Sequence, residues 1–149
     1  MKRFEFPLES VLRLRRFTEA QARQALQEAL RVRNQAESAL VATRARINTE
    51  MALLSERLTE MQAADVTQYW QELDALEELA LKQRAYLVEC ESIVERRQDD
   101  YVAAQRERKP LERLREEMHR SHAHEADLVE QAMHDELAVQ SHARKGAAP

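Results

Sequence analysis

LQEALRVRNQAESALVATRARINTEMALLSERLTEM, residues 26–61, decides the fold. Within it Leu26, Leu30, Arg33, Glu37, Leu40, Arg44, Ile47, Met51, Leu54, Leu58 and Met61 follow an unbroken alternation of four- and three-residue steps. That spacing keeps one narrow stripe on a supercoiled helix. Eight of the eleven positions are apolar, so the stretch reads as one helix of a coiled coil. The stripe continues more weakly upstream through Leu8, Leu12 and Ala22, with Val11, Leu14 and Phe17 beside it.

A second stripe obeys the same steps: Leu73, Leu76, Ala80, Gln83, Leu87, Cys90, Val94, Arg97, Tyr101, Ala104, Arg108, Leu111, Arg115, Met118 and His122. Between the two, Asp65 followed three residues later by Gln68 has the form of a capping box. The expectation is therefore helix 1 over about 7–62, a turn at about 62–68 and helix 2 over about 68–140. Pro7 suits the first helical position, with Glu9 beside the positive helix end. Pro110 interrupts helix 2 and predicts a bend, and Gly146 a stop, leaving 142–149 as a disordered tail.

A short connection makes the helices antiparallel, so residues 1–141 read as a single all-α domain, an antiparallel coiled-coil hairpin with both termini at one end. Each helix of ~55 to 60 residues would be a rod of roughly 85 Å. The hairpin implies a monomer. Because neither glycine nor proline marks the turn, the competing architecture is one continuous helix that dimerises.

Composition agrees. One glycine, three prolines and 5% aromatic residues in 149 leave few turn-formers and few bulky core-fillers, while Ala, Leu, Glu, Gln and Arg dominate. These are strong helix formers, and no sheet is expected. Residues 1–64 hold 11 Lys/Arg against 8 Asp/Glu, and residues 65–149 hold 12 against 19. The opposite balances favour laying one half on the other. They are not the dense basic face of a nucleic-acid binder, so no nucleic-acid partner is expected.

Several function classes fall away. A single glycine precludes a glycine-rich phosphate loop. Cys90 alone forms no intrachain disulfide or Cys-rich zinc site, and on the stripe it reads as an inert small hydrophobe. His119, His122 and His124 cluster with Glu125, but His124-Glu125 has Leu128 where a zincin helix needs its second histidine, so the cluster reads as a polar face. The opening MKRFEFPLESVLRLRR does not read as a secretory signal, and no segment has the ~20 apolar residues of a membrane span. The chain reads as non-enzymatic, without cofactor or metal, cytoplasmic and not inserted in a membrane.

Two features invite partners. The polar stripe positions Arg33, Glu37, Arg44, Arg97, Arg108 and Arg115 either cover the seam with long stems or fix its register. Tyr69 and Trp70, at the start of helix 2, either cap the turn or serve as aromatic anchors.

The string Phe4-Glu5-Phe6-Pro7-Leu8-Glu9-Ser10-Val11-Leu12-Arg13-Leu14-Arg15 resembles the opening of the FliJ family, stalk proteins of the flagellar type III export apparatus. Glu130-Gln131 followed by Asp135-Glu136-Leu137 is similar to that family's C-terminal pattern, and Lys109-Pro110-Leu111-Glu112-Arg113-Leu114 resembles its seam. The resemblance spans roughly residues 3–140. It implies a coiled-coil hairpin like the central stalk of rotary ATPases. The expected partners are the hexameric export ATPase, the cytoplasmic domain of the membrane-embedded export gate, and export chaperones, the protein being peripheral to the inner-membrane apparatus.

Carried over by position, the ATPase contact takes Phe4, Phe6, Leu8, Arg13 and Arg16 from one helix end and Glu130, Gln131, Asp135 and Glu136 from the other. The hairpin is expected to bring these two groups together. The gate contact takes Tyr69, Trp70, Leu73, Leu76, Leu79 and Gln83, although the aromatic that the family places near Glu72 is absent and Tyr69 and Trp70 lie a turn earlier. The alternatives are a stalk of the related virulence injectisome, or a coiled-coil scaffold without an ATPase partner.

Overall fold

Ala, Leu, Glu and Arg in long runs, with almost nothing to break them, produce two α-helices. A computed structural model describes residues 3–147. It places α1 at Glu9–Arg57 and α2 at Ala63–Gly146, with no strand among the described residues. The all-α expectation holds, and the element boundaries move for local reasons.

At the start, the Leu12 amide donates to the Leu8 carbonyl at 2.9 Å and the Glu9 amide to the Phe6 carbonyl at 3.1 Å. Leu8 is thus the capping residue, and Pro7 lies in the turn ahead of α1 instead of at its first helical position. The link between the helices is residues 58–62, earlier than the expected 62–68. The Gln62 carbonyl accepts from both Asp65 and Val66 at 3.1 Å. Asp65 therefore sits inside the first turn of α2, where its charge faces the positive helix end, and does not act as a cap. Gln68 reaches forward to Glu72 instead of back.

At the far end α2 continues to Gly146, and the Ala147 amide donates to the Ala143 carbonyl at 3.1 Å. Of the expected tail 142–149, residues up to Gly146 are helical. Arg144 and Lys145 in the last turn complement the negative helix end. Residues 148–149 lie outside the described residues. Pro110 lies inside α2 and does not end it.

The packing divides into two compact units. One takes the chain up to Glu19 and from Ala104 onward, the other Ala20–Ala103. In the second, Ala25 and Val32 share a groove with Tyr86 and Ile93, and Arg46 and Glu50 share one with Tyr69 and Leu76. Rising numbers on α1 meet falling numbers on α2, so the helices are antiparallel there. In the first unit Glu9 pairs with Arg115 and Arg15 with Glu107, which is again antiparallel.

In unit Ala20–Ala103 the α2 seam is the one the spacing predicts. Leu73 and Cys90 are buried, and Leu76, Ala80, Gln83, Leu87 and Val94 are half-buried, while Arg97 is exposed. The α1 seam differs by one residue at alternate positions. It runs Leu26, Ala29, Arg33, Ala36, Leu40, Thr43, Ile47, Glu50 and Leu54, all buried or half-buried. The expected Glu37, Arg44, Met51 and Leu58 face out, and Leu30 lies only at the seam's edge. Small side chains at 29, 36 and 43 let the backbones approach, and a leucine row in their place would hold the helices apart. Thr43 satisfies its hydroxyl by donating to the Ala39 carbonyl at 3.0 Å.

Candidate functional site

The unit containing both chain ends is built from charge as much as from apolar contact. Leu12 is fully buried, and Phe6 and Ala104 are buried with it. Around them run the cross-helix ion pairs. Arg15 donates to Glu107 at 2.6 Å, and Arg115 to Glu9 at 3.0 Å. Arg16 grips Glu112 with two bonds, Nε to Oε1 at 2.7 Å and Nη2 to Oε2 at 2.9 Å. Arg108 pairs with Glu19 and lies near Glu112 as well. Along the arginine stripe, Arg108 and Arg115 each find a carboxylate on α1. Arg33 and Arg97 pair along their own helices, with Glu37 and Asp100.

The Arg16 fork holds the Glu112 carboxylate below the ordinary range. Hydrogen bonding is the largest cause, partial burial opposes it, and the charges of Arg16, Arg108 and Arg115 add to it. Arg16 is raised in turn, first by that same bond. A carboxylate depressed in the folded state stabilises above its unfolded pKa of about 4.3, and the contribution vanishes as pH falls through the lower folded value. The melting temperature of Glu112→Gln should therefore lie below that of the parent at pH 7, and the gap should close as pH drops below about 4. A gap that persists at pH 2 would mean the loss is steric.

Ahead of α1 the segment 3–8 lies on α2. Phe4 meets His119 edge-on at a centroid distance of 5.0 Å and His122 at 5.6 Å. The histidine face is thus a seat for an aromatic side chain. Of the residues expected at an ATPase, Phe4 is half-covered and Phe6 buried, so both anchor the segment, whereas Leu8 and Arg13 are exposed. Arg16 is engaged with Glu112.

Glu130, Gln131, Asp135 and Glu136 are exposed on a stretch of α2 that has outrun its neighbour. Asp135 stands thirteen residues past His122, roughly 20 Å along the helix. The two groups expected together are therefore separate. The cause is helix length, since α2 has 84 residues and α1 has 49. From Asp127 to Ala147 every described residue is exposed, including Leu128, Val129, Met133, Leu137 and Val139.

The residues expected at the gate divide between seam and surface. Leu73 is buried, and Leu76 and Gln83 are half-buried in the seam, while Trp70 and Leu79 are exposed at 50% and 44%. Tyr69, Leu73, Leu76 and Leu79 line one shallow groove with Arg46, Glu50 and Glu72. The Tyr69 phenol is raised above its usual range, first by its hydrogen bond to Glu50. Sequence reasoning did not single out Arg46, Glu50 or Glu72. Glu50 lies seven residues beyond Thr43 on the same face of α1, a row the apolar spacing does not mark.

Among the described residues no helix is long and apolar enough to cross a membrane, and no cluster of three or more His, Cys, Asp or Glu is arranged to hold a metal ion. No curated protein and no solved structure matches the chain. The flagellar FliJ protein family does match, over residues 4–147, which is nearly every residue described. The chain belongs to the flagellar FliJ protein family and is a component of the flagellar export apparatus.

Proposed function

We propose that this protein is the non-catalytic stalk of the export machine: it binds the hexameric export ATPase, promotes its assembly and turnover, and links it to the cytoplasmic domain of the export gate. A chaperone-like role toward export chaperones belongs to the same reading, as does a cytoplasmic position at the periphery of the membrane apparatus. The observation that carries it is the unpartnered end of α2. There Val129, Met133 and Leu137 continue the seam beyond His122 and half-buried Ala126 with solvent on every side, interleaved with Asp127, Glu130, Asp135 and Glu136.

A bare apolar stripe on a helix end is stable only if something else covers it in the working state. A single helix end inside a ring of identical subunits touches them unequally. Unequal contact is a differential binding free energy, which biases the ring states that close on nucleotide. The ring supplies the chemistry and the stalk its order. For the gate, exposed Trp70 and Leu79 with half-buried Tyr69 are the accessible part of the expected set, and Leu73, Leu76 and Gln83 support it from the seam.

The test is the double substitution Val129→Asp/Met133→Asp, assayed with the cognate ATPase. Both residues are more than half exposed, so helicity and melting temperature should hold. The concentration giving half-maximal stimulation of turnover should rise at least about tenfold. Full stimulation by the folded variant would dismiss the α2 end as the contact.

A further inference from the structure

Pro110 sits in the interior of α2. It has no N–H, so the Arg106 carbonyl loses its donor four residues on, and the ring crowds that carbonyl. Proline is the commonest cause of a sharp kink in a helix. Here the weak point is bracketed. Just before it, Glu107 and Arg108 bond Arg15 and Glu19; just after it, Glu112 and Arg115 bond Arg16 and Glu9. All four partners lie within Glu9–Glu19 of α1. Apolar sealing at this level is narrow: Leu12 is fully buried and Leu111 half-buried, but Leu14 and Phe17 on α1 and Leu114 on α2 are exposed.

From this arrangement we infer that Pro110 is a latched hinge: the first turns of α1 form a charged splint across it, and releasing the ion pairs frees the part of α2 beyond Pro110 to swing. The latch is electrostatic, so screening or competition opens it while apolar seams elsewhere stay shut. An acidic segment of a partner that competes for Arg15 and Arg16 would act as the key. The inference is independent of what the end of α2 binds.

Spin labels read the swing directly. In a Cys90→Ser background, labels at the exposed positions Arg13→Cys and Glu125→Cys sit on α1 and on α2 beyond the proline. Glu125 lies fifteen residues past Pro110, about 22 Å, so a kink of about 20° displaces it by roughly 8 Å. At low salt the distance distribution should be narrow. Arg15→Glu/Arg16→Glu should lengthen and broaden it, and adding Glu107→Arg/Glu112→Arg should restore it. At 1 M NaCl, where the screening length is about 3 Å, the parent pairs should broaden without any charge change.

The deciding arm is Pro110→Ala, which should keep the distribution narrow in high salt and in the charge-reversed chain. A distribution unmoved by reversal and by salt with Pro110 present would overturn the latch. One that broadens equally with alanine at 110 would overturn the hinge, since the splint would then merely be peeling away. Failure of the charge swap to restore the narrow state would also sink the inference.

Discussion

Leu40→Asp should cost about 4 kcal/mol or more and leave much of the chain unfolded at room temperature. Leu40 is 4% exposed, on the α1 seam of the Ala20–Ala103 unit. Truncating a buried leucine alone forfeits roughly 2 to 5 kcal/mol through lost transfer energy and the void left behind. A carboxylate in that place adds an unpaired charge in a dry seam, which must either be protonated or draw water in. Small domains have only about 5 to 15 kcal/mol to lose. Val41→Asp is the internal control, since Val41 is 60% exposed and should change stability by less than about 0.5 kcal/mol. Urea melts followed by circular dichroism read both, and equal midpoints for the two variants would refute the seam.

Ala36→Leu should destabilise by about 1 to 3 kcal/mol, while Glu37→Leu, one residue on, should be nearly neutral. Ala36 is 7% exposed and belongs to the row Ala29, Ala36 and Thr43, where the helices meet through small side chains. Extra methylenes there push the backbones apart or force strained rotamers along the seam. Position 37 faces water, so a leucine adds exposed surface and little else. If Glu37→Leu stabilised the fold and Ala36→Leu left it unchanged, the seam would run through Leu30, Glu37 and Arg44 instead. The melting temperatures of the two single variants settle the choice.

That contrast also explains where the sequence was legible. The α2 seam could be read nearly residue by residue from Leu73 onward, because leucine, valine and cysteine at three- and four-residue steps leave one consistent path. On α1 the positions Leu26, Arg33, Leu40, Ile47 and Leu54 were correct and Leu30 is half-buried at the seam's edge, whereas Glu37, Arg44, Met51 and Leu58 face out. From each correct position the next step is three or four residues; Leu30 outweighs Ala29 in apolarity and Met51 outweighs Glu50, and the strict alternation those large side chains set carries Glu37 and Arg44 with it, past Ala36 and Thr43. Alanine is buried here for its size and not for its hydrophobicity, which a periodicity of apolar residues does not detect.

The candidate site was legible to a smaller extent. Phe4 and Phe6 lie near the second half of α2, as a hairpin requires, but Asp135 does not lie near them, because the end of α2 has no counterpart on α1. Two apolar stripes of similar length suggested two helices of similar length. The α2 stripe instead continues through Ala126, Val129, Met133 and Leu137 without a facing helix. Of the ion pairs that close the seam near Pro110, Arg15–Glu107 and Arg16–Glu112 follow the two halves' opposite charge, whereas Arg108–Glu19 and Arg115–Glu9 run against it. Their individual partners, such as Arg16 with Glu112, depend on register, which charge totals do not specify.

A peptide of about twenty residues is marginally helical in water without tertiary support. From Asp127 onward α2 is exposed on every face, so its last turns gain nothing from a facing helix and are the first expected to fray. Any protein that seats them must meet the entropy of stilling those turns from its own contacts, so the complex is weaker than its contact area suggests and quicker to let go. A grip of that kind suits a machine that cycles, because each engagement is specific in shape and brief in duration.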